Sequence, residues 1–220
     1  MDFLKIVKSI EELLYEVMTW LVFYPRTMWL SVSRPLEMME YSDTEQTEAP
    51  EKQYVDTLSP PLFLLLSIVI AHVIEVAARE KIVLGKGVGA EIEGSHEYLL
   101  ALRMIIYSLF PLMFAIAVLR RQGHKIDRGH LRAPFFSQCY IAAPTALLVG
   151  LASVAVRGPD NAIALAGWMI VPVAVIWYLW LQTKWLARHL GTSAVRSVPV
   201  AVWTFVKAVA VATAIIVALR

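Results

Sequence analysis

The chain has 220 residues, 58% of them apolar and 17% charged, and a formal net charge of +2. An ordinary soluble domain is about 45–50% apolar and about 25% charged, so this chain carries more apolar surface than water tolerates and needs lipid. The composition also excludes disordered and collagen-like chains, and the small net charge with no basic, aromatic-interleaved strand argues against nucleic acid as a partner.

The first 40 residues read as an amphipathic, interfacial helical region. Phe3, Ile6, Val7, Ile10, Leu13, Leu14, Val17, Leu21 and Tyr24 recur at helical spacing, with Lys5, Lys8, Glu12 and Glu16 on other faces. The spacing predicts a helix ended by Pro25 that lies on the membrane surface, with Trp20, Tyr24, Arg26 and Trp29 at headgroup depth. Lys5, Lys8, Glu11, Glu12 and Glu16 interrupt the apolar stretch, so no cleavable signal peptide is expected. Residues 41–58 are acidic and polar, and are read as a mobile cytoplasmic linker in preference to a folded partner-binding segment.

Residues 59–220 hold five stretches long enough to cross about 30 Å of hydrocarbon, at 60–78, 99–119, 134–156, 162–182 and 198–219. Their 106 residues include three charged side chains, Glu75, Arg103 and Lys207, whereas the other 114 residues hold 35. A charge at mid-span costs at least about 2.5–3.5 kcal/mol, which accounts for the segregation. The fold class is therefore all-α: a polytopic helical bundle of five spans preceded by an interfacial helix.

Lysine and arginine set the orientation. Arg120, Arg121, Lys125, Arg128 and Arg132 lie between the second and third spans, and Lys184, Arg188 and Arg196 between the fourth and fifth. Both loops are expected in the cytoplasm. In the alternate loops, Arg79, Lys81 and Lys86 are offset by Glu80, Glu91, Glu93 and Glu97, and the turn at Arg157 is short. The N-terminus is thus expected inside and the C-terminus outside.

Pro60, Pro61, Pro134 and Pro199 are expected in the first turn of a span, and Pro111, Pro144 and Pro172 inside one. Small residues at four-residue spacing, Ala142, Ala146 and Gly150, then Ala208 and Ala212, suggest close-packing faces within the protein or between copies.

Intramembrane ionisable groups are functional candidates by default. Glu75 and Arg103 fall at similar depth and are expected to pair, with a substrate or proton site and unpaired snorkelling as the other readings. His72 shares a helix face with Glu75; two ligands do not make a metal site, so it is read as a packing residue. Lys207 near mid-span is read as a neutral buried amine or one bonded to helix carbonyls, the rival being an aqueous path. Cys139 is read as a small core residue. No nucleophile elbow, phosphate loop or HExxH pattern occurs, so neither enzyme activity nor a cofactor is expected, and a lipid-modifying enzyme is disfavoured. The basic loop from Arg120 to Arg132 sets topology, and anionic lipid headgroups or a cytoplasmic protein are its candidate partners.

Two short segments resemble motifs of the Yip1 family of five-span membrane proteins. Asp56-Thr57-Leu58-Ser59-Pro60 is similar to Asp-Leu-Tyr-Gly-Pro, with Ser59 in place of glycine. Cys139-Tyr140-Ile141-Ala142-Ala143-Pro144 is similar to Gly-Tyr-x-x-x-Pro, with Cys139 in place of glycine. The resemblance spans residues 56–219 and implies a helical bundle with a cytoplasmic N-terminal region. Asp56, Pro60, Tyr140 and Pro144 are then architectural residues, Tyr140 offering its hydroxyl to a carbonyl about one turn away. Eukaryotic members associate with Rab-type GTPases in vesicle traffic; the compact loops here favour a bacterial inner-membrane protein. The expected function is non-enzymatic membrane organisation or recruitment. The rival is a transporter or channel component using His72, Glu75, Arg103 and Lys207, with a homo-oligomer supplying symmetry.

Overall fold

A computed structural model of the chain describes residues 2–86 and 96–219. Among them are seven α-helices, one short 3-10 helix (Pro50–Lys52) and no strand. The helices are α1 (Asp2–Ser33), α2 (Pro35–Glu45), α3 (Pro60–Lys86), α4 (His96–Gln122), α5 (Arg128–Val156), α6 (Asn161–His189) and α7 (Ala194–Ala218). Five of them are long and apolar enough to cross a bilayer: Pro60–Ala78 within α3, Glu97–Gln122 within α4, and α5, α6 and α7. The fold class and all five spans agree with the sequence reading. The side chains of Phe3, Ile6, Arg79, Glu80, Lys81, Lys86, Glu91 and Glu93, named above for the first helix and the segment between the first two spans, lie outside the described residues.

α5 is the central helix, packed against α2, α3, α4 and α6, while α7 closes the bundle against α4 and α6. Every residue from 137 to 144 is buried, which a helix surrounded by neighbours requires. Close approach comes from small side chains. An added Cβ on Gly150 would stand 2.6 Å from the Ala71 Cβ of α3, and one on Gly167 2.8 Å from the Ala152 carbonyl oxygen of α5. The small-residue faces are thus used inside the chain: Ala142, Ala146, Gly150, Ala208 and Ala212 are all buried. Phe110, Phe114, Tyr178 and Phe205 form an aromatic layer among α4, α6 and α7, with ring centroids 5.5 Å apart for Phe110 and Phe205 and 5.8 Å for Phe114 and Tyr178.

Three expectations need correction. α1 does not end at Pro25 but runs on to Ser33. Proline removes one ladder hydrogen bond, and tertiary contacts beyond it hold the helix. Thr27 and Ser31 are buried, the Tyr24 hydroxyl meets Ser67 Oγ at 3.0 Å, and the Leu58 amide donates to Thr27 Oγ1 at 3.1 Å.

Residues 41–58, expected as a mobile linker, pack in part against the bundle. α2 reaches Glu45, and Met38, Met39, Tyr54 and Leu58 belong to the main core. The acidic groups that made the segment look solvated face basic residues of α6: Glu40 pairs with Arg188, and Asp43 with His189 at 3.2 Å. Tyr54, at φ 57°, is fixed by its amide on Glu45 Oε2 (2.5 Å) and by Gln46 Nε2 donating to its hydroxyl (2.6 Å).

Pro134 and Pro199 lie inside helices, because α5 and α7 begin before their apolar runs do. Asp127 starts α5 by accepting from the His130 amide at 2.9 Å.

Candidate functional site

The helices bring polar groups together at both ends of the bundle. At the end away from α1 and α2, Glu75 on α3 is 3% exposed at its side chain. One carboxylate oxygen pairs with Arg103 of α4, and the other accepts from Arg157 at 2.5 Å, just past α5. The Glu75–Arg103 pair is the one expected from depth. Arg157 was missed, because a short turn between spans looked like bare topology. The signal available was that Arg157 is the first charge after a long apolar run, held at bilayer-boundary depth by the helix before it.

His72, one turn before Glu75, presents Nδ1 to Arg103 at 3.4 Å. A guanidinium only donates, so in this contact Nδ1 is the acceptor. His72 thereby orients Arg103. Among the described residues two guanidiniums meet this carboxylate, and the half-exposed side chain of Arg157 opens the group to the surface.

Lys207 is not part of this cluster. It lies at the middle of α7 and is half-buried, with its ammonium 5.9 Å from the Trp203 ring centroid. It lines a groove of about 280 Å³ with Ala117, Arg120, Arg121, Val200, Trp203 and Thr204. The amine expected to be buried is half-buried, and the side chain leans along the helix toward Trp203. The aromatic layer, which includes Phe205 two residues before Lys207, borders an apolar cavity of about 160 Å³ lined by Tyr107, Phe110, Ala142, Ala146, Tyr178 and Phe205 among others.

Other residues of the basic loop stand apart from that groove. Lys125 and Arg128 are exposed, and Arg132 donates to Gln53 at 3.4 Å while covering the Phe136 ring at 5.2 Å. His130 Nδ1 lies 2.8 Å from Asp127 Oδ2. Hydrogen bonds from the His130 amide and ring hold the Asp127 carboxyl below its ordinary range.

The two motif segments meet directly. Tyr140, fully buried on α5, donates to the Leu58 carbonyl at 2.9 Å and lies 3.2 Å from Thr57 Oγ1. Its hydroxyl therefore reaches the segment before α3 and not a carbonyl of its own helix, because the side chain points across the α3–α5 contact. Pro60 is the first residue of α3, and Pro144 is buried inside α5. Asp56 stays exposed, 3.9 Å from Arg26 of α1. Tyr41 and Tyr54 pack nearby, and burial pushes both phenols above their ordinary range.

Comparison with protein-family models, with curated proteins and with solved structures gives no match. The spans define the class on their own: the chain is an integral membrane protein, a helical bundle in contact with the lipid bilayer.

Proposed function

We propose that this is a Yip1-like, non-enzymatic protein that organises membrane or recruits a partner through its α1 end, with that end in the cytoplasm of a bacterial cell and the protein in the inner membrane. The observation that carries the reading is the joint between the two motif-like segments: Tyr140 bonded to Leu58 couples the residues before the first span to the proline-containing third span. The exposed first half of α1 supports the recruiting role. Val7, Ile10, Leu14, Val17 and Leu21 are all exposed along one face of it, beyond the part of the helix that packs on the bundle. In this reading α1 rests on the headgroups until a cytoplasmic protein or a second copy covers it, and the basic end faces anionic lipid.

A photocrosslinking residue at Leu14, activated in native membranes, tests the proposal. Recruitment predicts a discrete protein adduct that disappears when Ile10 and Val17 are both changed to glutamate. Adducts with lipid alone would overturn it.

A transport role draws support from the Glu75 cluster, where a buried acid meets two guanidiniums. Against a continuous path, Lys207 lines a separate groove with Arg120 and Arg121. Ion or solute flux in proteoliposomes that vanishes on Glu75→Gln would favour transport over recruitment.

A further inference from the structure

We propose that the groove between the α1-proximal end of α4 and residues 200–207 of α7 is a binding site for the phosphate of an anionic phospholipid. It sharpens, and rests on, the reading that the basic end meets anionic lipid, and it assigns that contact to a defined place.

Three cations, Arg120 and Arg121 from the last turn of α4 and Lys207 from α7, line one groove, and no acidic residue among the described residues lines it. No carboxylate of the described residues pairs with any of the three. Like charges gathered at one place repel, so the arrangement is favourable when an anion lies among them. The position fits a lipid better than a soluble anion. Lys207 is thirteen residues into α7, about 20 Å along the helix, and its ammonium reaches back over Trp203. Trp203 is exposed to the surround and stands nine residues after the start of α7, so the groove opens sideways toward lipid. Ala117 and Val200 give the groove apolar walls for the glycerol and first methylenes, and Thr204 adds a hydroxyl. A phosphate at this depth would meet the ammonium from the bilayer side and the guanidiniums from the aqueous side. This accounts for a lysine placed well inside an otherwise apolar helix. Lys125 and Arg128 carry comparable charge on the same end but do not line the groove, which makes them internal controls.

The test is native mass spectrometry of delipidated full-length protein in neutral detergent, titrated with phosphatidylglycerol, phosphatidylcholine or inorganic phosphate. The expected result is one tightly retained phosphatidylglycerol. Its affinity should fall about fivefold for each charge removed: about fivefold in Lys207→Gln and about 25-fold in Arg120→Gln with Arg121→Gln. Lys207→Arg should keep it, and Lys125→Gln with Arg128→Gln should leave the first lipid unchanged. Should Lys207→Gln fail to fold, the exposed Arg120 and Arg121 pair carries the same test.

Equal retention of phosphatidylcholine, or wild-type affinity in the groove variants, overturns the site. So does displacement of the lipid by equimolar inorganic phosphate, since the headgroup would then add nothing to the free anion. A loss in the Lys125 and Arg128 variant as large as in the groove variants removes the groove but leaves a diffuse contact of the basic end with anionic lipid. Absence of any phosphatidylglycerol preference in the wild type removes both.

Discussion

The Tyr140 hydroxyl donates to the Leu58 carbonyl at 2.9 Å, across 82 positions of sequence and in a fully buried setting. The bond satisfies a carbonyl released just before α3 begins, where no helical partner exists for it. Thr57 Oγ1 stands 3.2 Å from the same phenol, and the Leu58 amide is bonded to Thr27 of α1, so three segments converge here.

Replacing Tyr140 with phenylalanine keeps the ring and strands the carbonyl. A buried acceptor left unsatisfied costs about 1–3 kcal/mol, so Tyr140→Phe should lower stability by that amount in detergent-solubilised unfolding. Wild-type stability would show that the Leu58 carbonyl finds another donor.

Removal of one member of a buried ion pair is strongly destabilising, by about 3–5 kcal/mol. Glu75→Gln should reach that range, because it leaves Arg103 and Arg157 facing each other. Arg103→Met should be milder, since Arg157 still neutralises the carboxylate. The reverse order in thermal unfolding of the two purified variants would mean that Arg157 contributes little.

Gly167→Ala would press a methyl against backbone atoms of α5, with the Ala152 carbonyl and the Val156 amide each 2.8 Å away. Backbone cannot yield as a flexible side chain does, so α5 and α6 must move apart, at a cost of about 1–3 kcal/mol. Gly123→Ala places its methyl in open space, though at φ 72°, and should be the milder change in the same unfolding assay.

Asp127 gives a pH dependence of known sign. Its folded-state value is depressed, so its stabilising contribution is fully present above the unfolded-state value and is lost as pH falls through the folded one. Amide exchange at His130 and Leu131, in the first turn of α5, should therefore accelerate in acid below the ordinary carboxylate range. Asp127→Asn should still cap the helix and should flatten that dependence; an unchanged acid response in this variant would assign it to another group.

The five spans were legible because hydropathy is a local property: a run of about 20 apolar residues meets lipid wherever it lies in the sequence. The pairing of Glu75 with Arg103 was legible for a related reason, since both positions were set by counting residues along helices that cross the same slab. Arg157 was harder to see, because a charge in a short turn ordinarily faces water, and only the α3–α5 contact turns it onto Glu75.

What the sequence by itself determined is the class, the number of spans and the depth of each charge, all fixed by the free energy of moving side chains between water and hydrocarbon. Tertiary structure alone decided which charges meet. It carried α1 through Pro25 by contacts on its far side, and folded the acidic stretch onto α5 and α6 by burying Met38, Met39 and Tyr54. It also gathered Arg120, Arg121 and Lys207 into one groove. The physical reason is that lipid transfer acts on one residue at a time, whereas pairing, capping and close packing depend on partners far away in the chain.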